Sequence, residues 1–192
     1  VQEGASEPAA YAITALEEYG FDPCDEKEDY YGVFDFGGGT TDFDFGVYRE
    51  ASEDRYDYTL LHFGANGDRT LGGENLLRLL AFEVFKANKD KLLNPDGEKP
   101  GEQQSKIPFA WAADKHDFPG SEGLIRESQE AQANMHTLME ALRPVWEAPD
   151  SEESKKILDS GLITVNLFRE DGKPLTSIGL HLSNMSGKET DE

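Results

Sequence analysis

Apolar and polar positions alternate through two short stretches that meet at three glycines. In Val33–Phe36 and Thr41–Val47 the period is two. Phe34 and Phe36 share one face, Phe43, Phe45 and Val47 share one face of the second stretch, and Asp42 and Asp44 point the other way. This predicts a β-hairpin with Gly37–Gly39 in the turn and the phenylalanines on buried faces. The next stretch, RYDYTLLHFG (Arg55–Gly64), is rich in Tyr, Leu and Phe and predicts a third strand. Ahead of the hairpin, Ser6-Glu7-Pro8 opens the run AAYAITALEEYG. Ser6 suits an N-cap, Pro8 a first turn and Gly20 a helix end. The acidic stretch DPCDEKEDYY reads as a linker between helix and hairpin.

Beyond the third strand the period changes to that of helices. GANGDRTLGGEN reads as a glycine-rich loop feeding a helix from about Asn75 to Leu93, with Leu76, Leu80, Val84 and Phe85 on one stripe. From Asn94 to Gly123 Gly, Pro and polar residues predict a long loop, with Phe109, Trp111 and Phe118 packing into a satellite core rather than binding a ligand. A second helix is predicted from about Leu124 to Trp146, on Leu124, Ala131, Met135, Leu138, Leu142 and Val145, with Pro144 kinking or ending it. A short helix near Glu152–Leu158 precedes two strands, LITVNLFR and LTSIGLHLS. Asp171-Gly172 sits at the centre of the turn between them. The polar tail NMSGKETDE is expected to fray. No internal repeat is visible. The order βββ–α–loop–α–α–ββ predicts an α/β or α+β body with a segregated second part.

Charge narrows the function classes. The chain of 192 residues carries a formal net charge of −21. A surface of that sign repels nucleic acid and anionic membrane, and most of it reads as a solvated acidic face. Cys24 is the only cysteine, which predicts no internal disulfide and a reducing, cytoplasmic setting. The opening VQEGASEPAA has neither the basic nor the apolar region of a signal peptide, and no apolar run approaches the roughly 18 residues of a membrane span. His62, His116, His136 and His181 lie too far apart in sequence to suggest a metal site.

The glycines are where chemistry enters. Without Cβ, successive backbone amides come close to a ligand and form a concave anion site. Gly37-Gly38-Gly39-Thr40 offers amides plus a hydroxyl, all donors to phosphate oxygens. Asp35 and Asp42 flank them, and carboxylates beside phosphates make sense when a cation such as Mg2+ lies between. The competing reading is a plain glycine-rich turn with solvated aspartates. Gly72-Gly73 stands at a helix start, where free N–H groups attract anions, against a plain helix-entry turn.

At these residues the chain resembles a known family. VFDFGGGTTDFDFG looks like the second phosphate-binding hairpin of the seventy-kilodalton heat-shock chaperones, in the actin-like ATPase superfamily. GDRTLGGENL looks like that family's next loop and helix start, and SEPAAYAITA like the helix that precedes the hairpin. Their order and approximate spacing match. The pair ITVNLFREDGKPLTSIGLHLS matches the hairpin of the upper part of lobe II.

The resemblance implies a partial ribonuclease-H-like, actin-like ATPase subdomain over residues 1–75. An upper subdomain of helices, long loop and β-hairpin would follow over residues 76–192. It implies that Gly37, Gly38, Gly39 and Thr40 hold the β- and γ-phosphates of ATP or ADP. Asp35 contacts hydrated Mg2+, Asp42 positions the attacking water, and Glu7 reaches the metal's water shell. Gly72, Gly73 and Glu74 lie near the phosphates, and Gly73 and Glu74 near a K+ ion as well. Glu130 matches a glutamate that meets the ribose, but the basic residues that follow it in the family are replaced by Gln132, Ala133 and Asn134. The family's lysine-bearing first phosphate loop and its later adenosine motif are absent from this sequence. The chain therefore reads as a piece of lobe II, inactive alone, of an ATP-hydrolysing chaperone-like protein. A co-chaperone or exchange factor would meet its upper subdomain. Self-association is expected through Val33–Phe36, which lacks a partner strand on one side. An actin-like or sugar-kinase-like relative and a non-hydrolysing interaction scaffold are the rival readings.

Overall fold

The computed structural model describes residues 7–21, 28–52, 55–97, 104–112 and 118–182. The architecture is α+β, with two small antiparallel sheets and five helices among the described residues. The chain divides into two compact units, Val1–Leu76 and Leu77–Glu192.

In the first unit, α1 (Glu7–Glu18) precedes a sheet of β1 (Asp29–Phe36), β2 (Thr41–Glu50) and β3 (Tyr58–Asp68), in that spatial order. The hairpin forms as expected, with Phe36 opposite Thr41 across the glycines. Its first strand begins four residues before Val33, because Asp29–Gly32, partly assigned to the acidic linker, pair with Phe45–Tyr48. β3 also runs further than expected. GANGD, read as loop, pairs with Thr41–Phe45, and the register slips where Phe45 faces Gly64 and Gly46 faces His62, leaving Phe63 as the extra residue of a bulge.

The face assignment is reversed for Phe34, Phe36 and Phe45, although Val47 on the same face is buried as expected. Ala12 and Leu16 of α1 pack on Tyr31 and Tyr48, with Val33 and Leu60 at the margin. That covers the face opposite the phenylalanines, so Phe34 is 63 % exposed, Phe45 48 % and Phe36 43 %. Alternation separates two faces but does not say which one a helix will cover. Asp44, expected on the open face, is fully buried. Its carboxylate accepts from the Tyr31 hydroxyl at 2.8 Å and lies 2.9 Å from His62 Nδ1. Gly46 makes room for this arrangement, since a Cβ there would run into the Tyr31 ring. Burial pushes the Tyr31 hydroxyl pKa up, and the hydrogen bond to the Asp44 carboxylate and its charge push the same way.

The helix α2 (Gly73–Ala87) has its first turn in the first unit; the second unit is built from the rest of it and from α3 (Lys89–Leu93), α4 (Gln129–Glu147), α5 (Glu152–Ser160), β4 (Leu162–Phe168) and β5 (Pro174–His181). Its core joins Leu77, Val84 and Phe85 to Leu138, Leu142, Val165, Leu167 and Leu180. The buried stripe of α2 is Leu77, Ala81, Val84 and Phe85, one position on from the expected Leu76 and Leu80. The expected helix to Leu93 breaks at Asn88, whose side chain serves β5 instead. Its Nδ2 donates to Val84 O and His181 O, and its Oδ1 accepts from His181 N at 2.8 Å.

Leu124 belongs to a turn rather than a helix. α4 starts at Gln129, where the Ser128 side chain accepts from Ala131 N. Pro144 neither ends nor visibly replaces the last turn; it lies inside α4, and its carbonyl accepts from Ala148 N and the Ser154 hydroxyl. The loop aromatics pack, though into the main core rather than into the expected satellite. Phe109 and Trp111 are buried, with Phe85 5.0 Å from Phe109 and Phe82 5.3 Å from Trp111 between ring centroids. No helix among the described residues is long and apolar enough to cross a membrane.

Candidate functional site

The glycine turn is fixed from one side only. Gly37 N donates to Thr40 O at 2.8 Å and closes it. Its carbonyls then face the start of α2. Gly73 N donates to Gly37 O at 3.0 Å, Glu74 N to Gly38 O at 2.7 Å, and Asn75 Nδ2 to Gly39 O at 3.0 Å. The first donors of that helix, which have no partner within it, are thus satisfied by the hairpin. Gly72 permits the contact: a Cβ there would stand 2.5 Å from Gly38 O. The Thr41 hydroxyl ties the same loop at 2.6 Å through Leu71 O. Before it, the Asp68 carboxylate accepts from the Thr70 hydroxyl and amide, each at 2.7 Å. Those hydrogen bonds, the hydroxyl's first, hold the Asp68 carboxyl below its ordinary range.

With the carbonyls committed to α2, the donors remain. Gly38, Gly39 and Thr40 are exposed, and among the described residues their amides donate to no acceptor. The helix-start amides of Gly73 and Glu74, which the sequence left free for an anion, are the ones already engaged. The Thr40 hydroxyl points along the turn to Asp42 Oδ2 at 3.3 Å. Asp35 and Asp42 stand directly opposite each other on β1 and β2, both half-buried. The hairpin therefore presents a donor-lined tip with a carboxylate pair behind it.

Among the described residues no three His, Cys, Asp or Glu side chains gather as a metal cage. Mg2+ does not need one, since it binds through one or two carboxylates, retained water and phosphate oxygens. The Asp35–Asp42 pair fits that donor set. K+ fits less well. The Gly37 and Gly38 carbonyls beside Gly73 and Glu74 already accept from those residues' amides. Glu7 belongs to α1, and its side chain lies outside the described residues, as do Ser6, Cys24 and His116.

Glu130 belongs to the second unit. It lines a cavity of about 250 Å3 together with Gln129, Ala133, Phe168 and Gly172. Asn134, one of the positions where the resembling family carries a basic residue, is fully buried and holds the fold. Its Nδ2 donates to Pro108 O and Phe168 O, each at 2.8 Å, and its Oδ1 accepts from Phe168 N at 2.7 Å. Sequence reasoning missed Phe168 and Gln129. The signal for Phe168 was an aromatic on the outward face of its strand, beside the Asp-Gly turn. No family model matches the chain, and no curated protein is similar enough to count as a relative.

Proposed function

We propose that this chain supplies one phosphate-binding hairpin of a two-lobed, chaperone-like ATPase related to the seventy-kilodalton heat-shock family. One observation carries the reading. Gly38, Gly39 and Thr40 offer exposed amides with no acceptor, while the carbonyls of Gly37–Gly39 are bonded away from them. Donors on one side of a fixed turn suit the β- and γ-phosphates of ATP or ADP. A plain surface turn has no need of three consecutive glycines pressed against a fourth at Gly72.

In this reading the Thr40 hydroxyl adds a donor to the phosphates and Asp42 orients the attacking water. Asp35 and Asp42 would hold Mg2+ through its water, and the ion when bound supplies neutralisation of phosphate charge. Phosphoryl transfer depends on positioning from both lobes, so this chain alone does not turn over and binds Mg·ATP weakly. A co-chaperone or exchange factor would dock on the second unit, and the cytoplasm is the setting.

The test is made in the full protein that carries this chain. Thr40→Ala and Asp42→Asn should lower ATP hydrolysis by about tenfold or more, the scale of lost electrostatic and positioning contacts, while the unfolding midpoint barely moves. Loss of stability in step with activity would return the hairpin to a plain turn. A second reading, a scaffold that no longer hydrolyses nucleotide, draws on Gln132, Ala133 and Asn134, which bring no cation to a nucleotide. Unchanged function in the Asp42→Asn protein would favour it.

A further inference from the structure

The cavity between the first turn of α4 and the turn joining β4 to β5 carries charge of one sign. Its volume is about 250 Å3, and Gln129, Glu130, Ala133, Phe168 and Gly172 line it. The Glu130 carboxylate and the Gln129 amide enter no hydrogen bond or ion pair among the described residues. The neighbouring cations are spent elsewhere. Lys173 Nζ donates to Asp171 Oδ2 at 2.9 Å, and Arg169 Nη2 donates to Asp96 Oδ1 at 2.7 Å. Gln132, Ala133 and Asn134 bring no cation from the helix. Two walls are fixed around this carboxylate. Both backbone polar groups of Phe168 are bonded to the buried Asn134 amide, and its ring stays 39 % exposed. The turn stays low at Gly172, whose φ is +78°, and a Cβ there would stand 3.9 Å from Glu130 Oε1.

A carboxylate without a counter-charge, set beside an aromatic ring, selects a cation. The first turn of a helix favours a negative side chain, so α4 itself supports the charge on Glu130. An anion is repelled from the cavity, and a chain of net charge −21 draws cations toward it. Two kinds of organic cation compete. An ammonium is a compact, strongly hydrated point charge. A guanidinium is flat and weakly hydrated, stacks on an aromatic face and places two parallel N–H groups on one carboxylate. The second matches what lines this cavity: a ring for the plane, a carboxylate for the fork and an amide oxygen for a further N–H. The volume, just under the roughly 300 Å3 at which small-ligand pockets begin, suits one such group and its alkyl stem. We infer that the cavity is a guanidinium site that receives an arginine side chain. Glu130 is the bidentate acceptor, Phe168 the stacking face and Gln129 the second acceptor. The arginine comes either from a peptide or as the free amino acid. The site belongs to the second unit and does not depend on the phosphate hairpin, so either assignment can fail alone.

The test follows backbone amide resonances of the full chain by NMR during separate titrations with methylguanidinium and methylammonium chloride. Methylguanidinium should shift Gln129, Glu130, Phe168 and Gly172. Methylammonium should bind about tenfold more weakly, the difference between a stacked fork and a point charge. Glu130→Gln should weaken methylguanidinium about tenfold or more. Phe168→Leu, which keeps an apolar side chain but removes the ring, should weaken it about fivefold. Glu130→Gln is the independent variant if Phe168→Leu loses its folded spectrum. Free arginine and doubly blocked N-acetylarginine amide then distinguish the sources. Tighter binding of the blocked form supports the site as one for a peptide's arginine, and tighter binding of the free amino acid supports it as one for a small molecule. Equal affinity for the two simple cations, shifts spread over the whole acidic surface, or methylguanidinium binding that ignores both substitutions overturns the inference. So does silence of these four residues in every titration.

Discussion

The two sheets treat their edges in opposite ways. In the second unit a buried asparagine closes each side of a two-stranded sheet. Asn88 exchanges hydrogen bonds with both backbone groups of His181, and Asn134 does the same with Phe168. Each side chain imitates one residue of a neighbouring strand. A sheet of two strands is marginal alone, and these amides, with α2 and α4 over its inner face, make it part of a continuous core. In the first unit the three-stranded sheet has more strands but less cover. Among the described residues no strand pairs with the outer side of β1, and the face carrying Phe34, Phe36 and Phe45 is exposed. Strand number does not decide which sheet is secure; satisfaction of edges and cover of faces do.

The largest effect should come from removing one of the asparagine closures. Asn134→Ala would leave Phe168 N, Phe168 O and Pro108 O without their partner, a cost of about 4 kcal/mol for several orphaned buried groups. Urea unfolding followed by the tryptophan fluorescence of Trp111 and Trp146 would read it. A loss under about 1 kcal/mol would mean that water replaces the amide and that the closure matters little.

Next comes the fixed turn of the other unit. Gly72→Ala places a Cβ 2.5 Å from Gly38 O, so the hairpin and the start of α2 must separate. We expect a cost of about 3 kcal/mol, on the scale of overpacking. Amide exchange at Gly73 and Glu74 should rise with it. Unchanged exchange there would show that the turn is not held as described.

Tyr31→Phe should cost about 1–2 kcal/mol, since the buried Asp44 carboxylate loses one of its donors. It also has a pH signature. Burial and Asp44 raise the Tyr31 pKa from its ordinary value of 10.0, so the folded chain keeps the proton longer than the unfolded chain. That contribution is complete below pH 10 and is lost as pH rises beyond it. The difference between wild type and Tyr31→Phe should therefore shrink in alkali. A difference that stays constant up to strongly alkaline pH would remove Tyr31 from the account.

The smallest change in stability should accompany substitution on the open face. Phe34→Thr and Phe36→Thr should each move stability by about 0.5 kcal/mol or less. They should, however, reduce the concentration-dependent light scattering that an open edge and aromatic face invite. Amides of β1 should exchange faster than those of Ile163–Phe168. A strict monomer with equal protection in both strands would erase the contrast between the sheets.

The sequence by itself determined most elements, because period, caps and turn residues act locally. The glycine hairpin, the Asp171-Gly172 turn, α1 and the packing of Phe109 and Trp111 were all legible from neighbours in the chain. The candidate phosphate donors were legible too, since Gly38, Gly39 and Thr40 carry their chemistry in the backbone and one hydroxyl. What tertiary structure decided was which groups remain free. Nothing local says that the Gly73 and Glu74 amides are spent on Gly37 and Gly38, or that Asp44 lies under Tyr31 and His62. Nor does it say that Asn88 leaves a helix to serve His181. Those outcomes arise from hydrogen-bond demands met between segments far apart in sequence, such as Asn134 and Phe168. The same holds for the face of β1 that α1 covers: alternation offered two equal faces, and the stripe of Ala12 and Leu16 chose the one with Tyr31 and Tyr48.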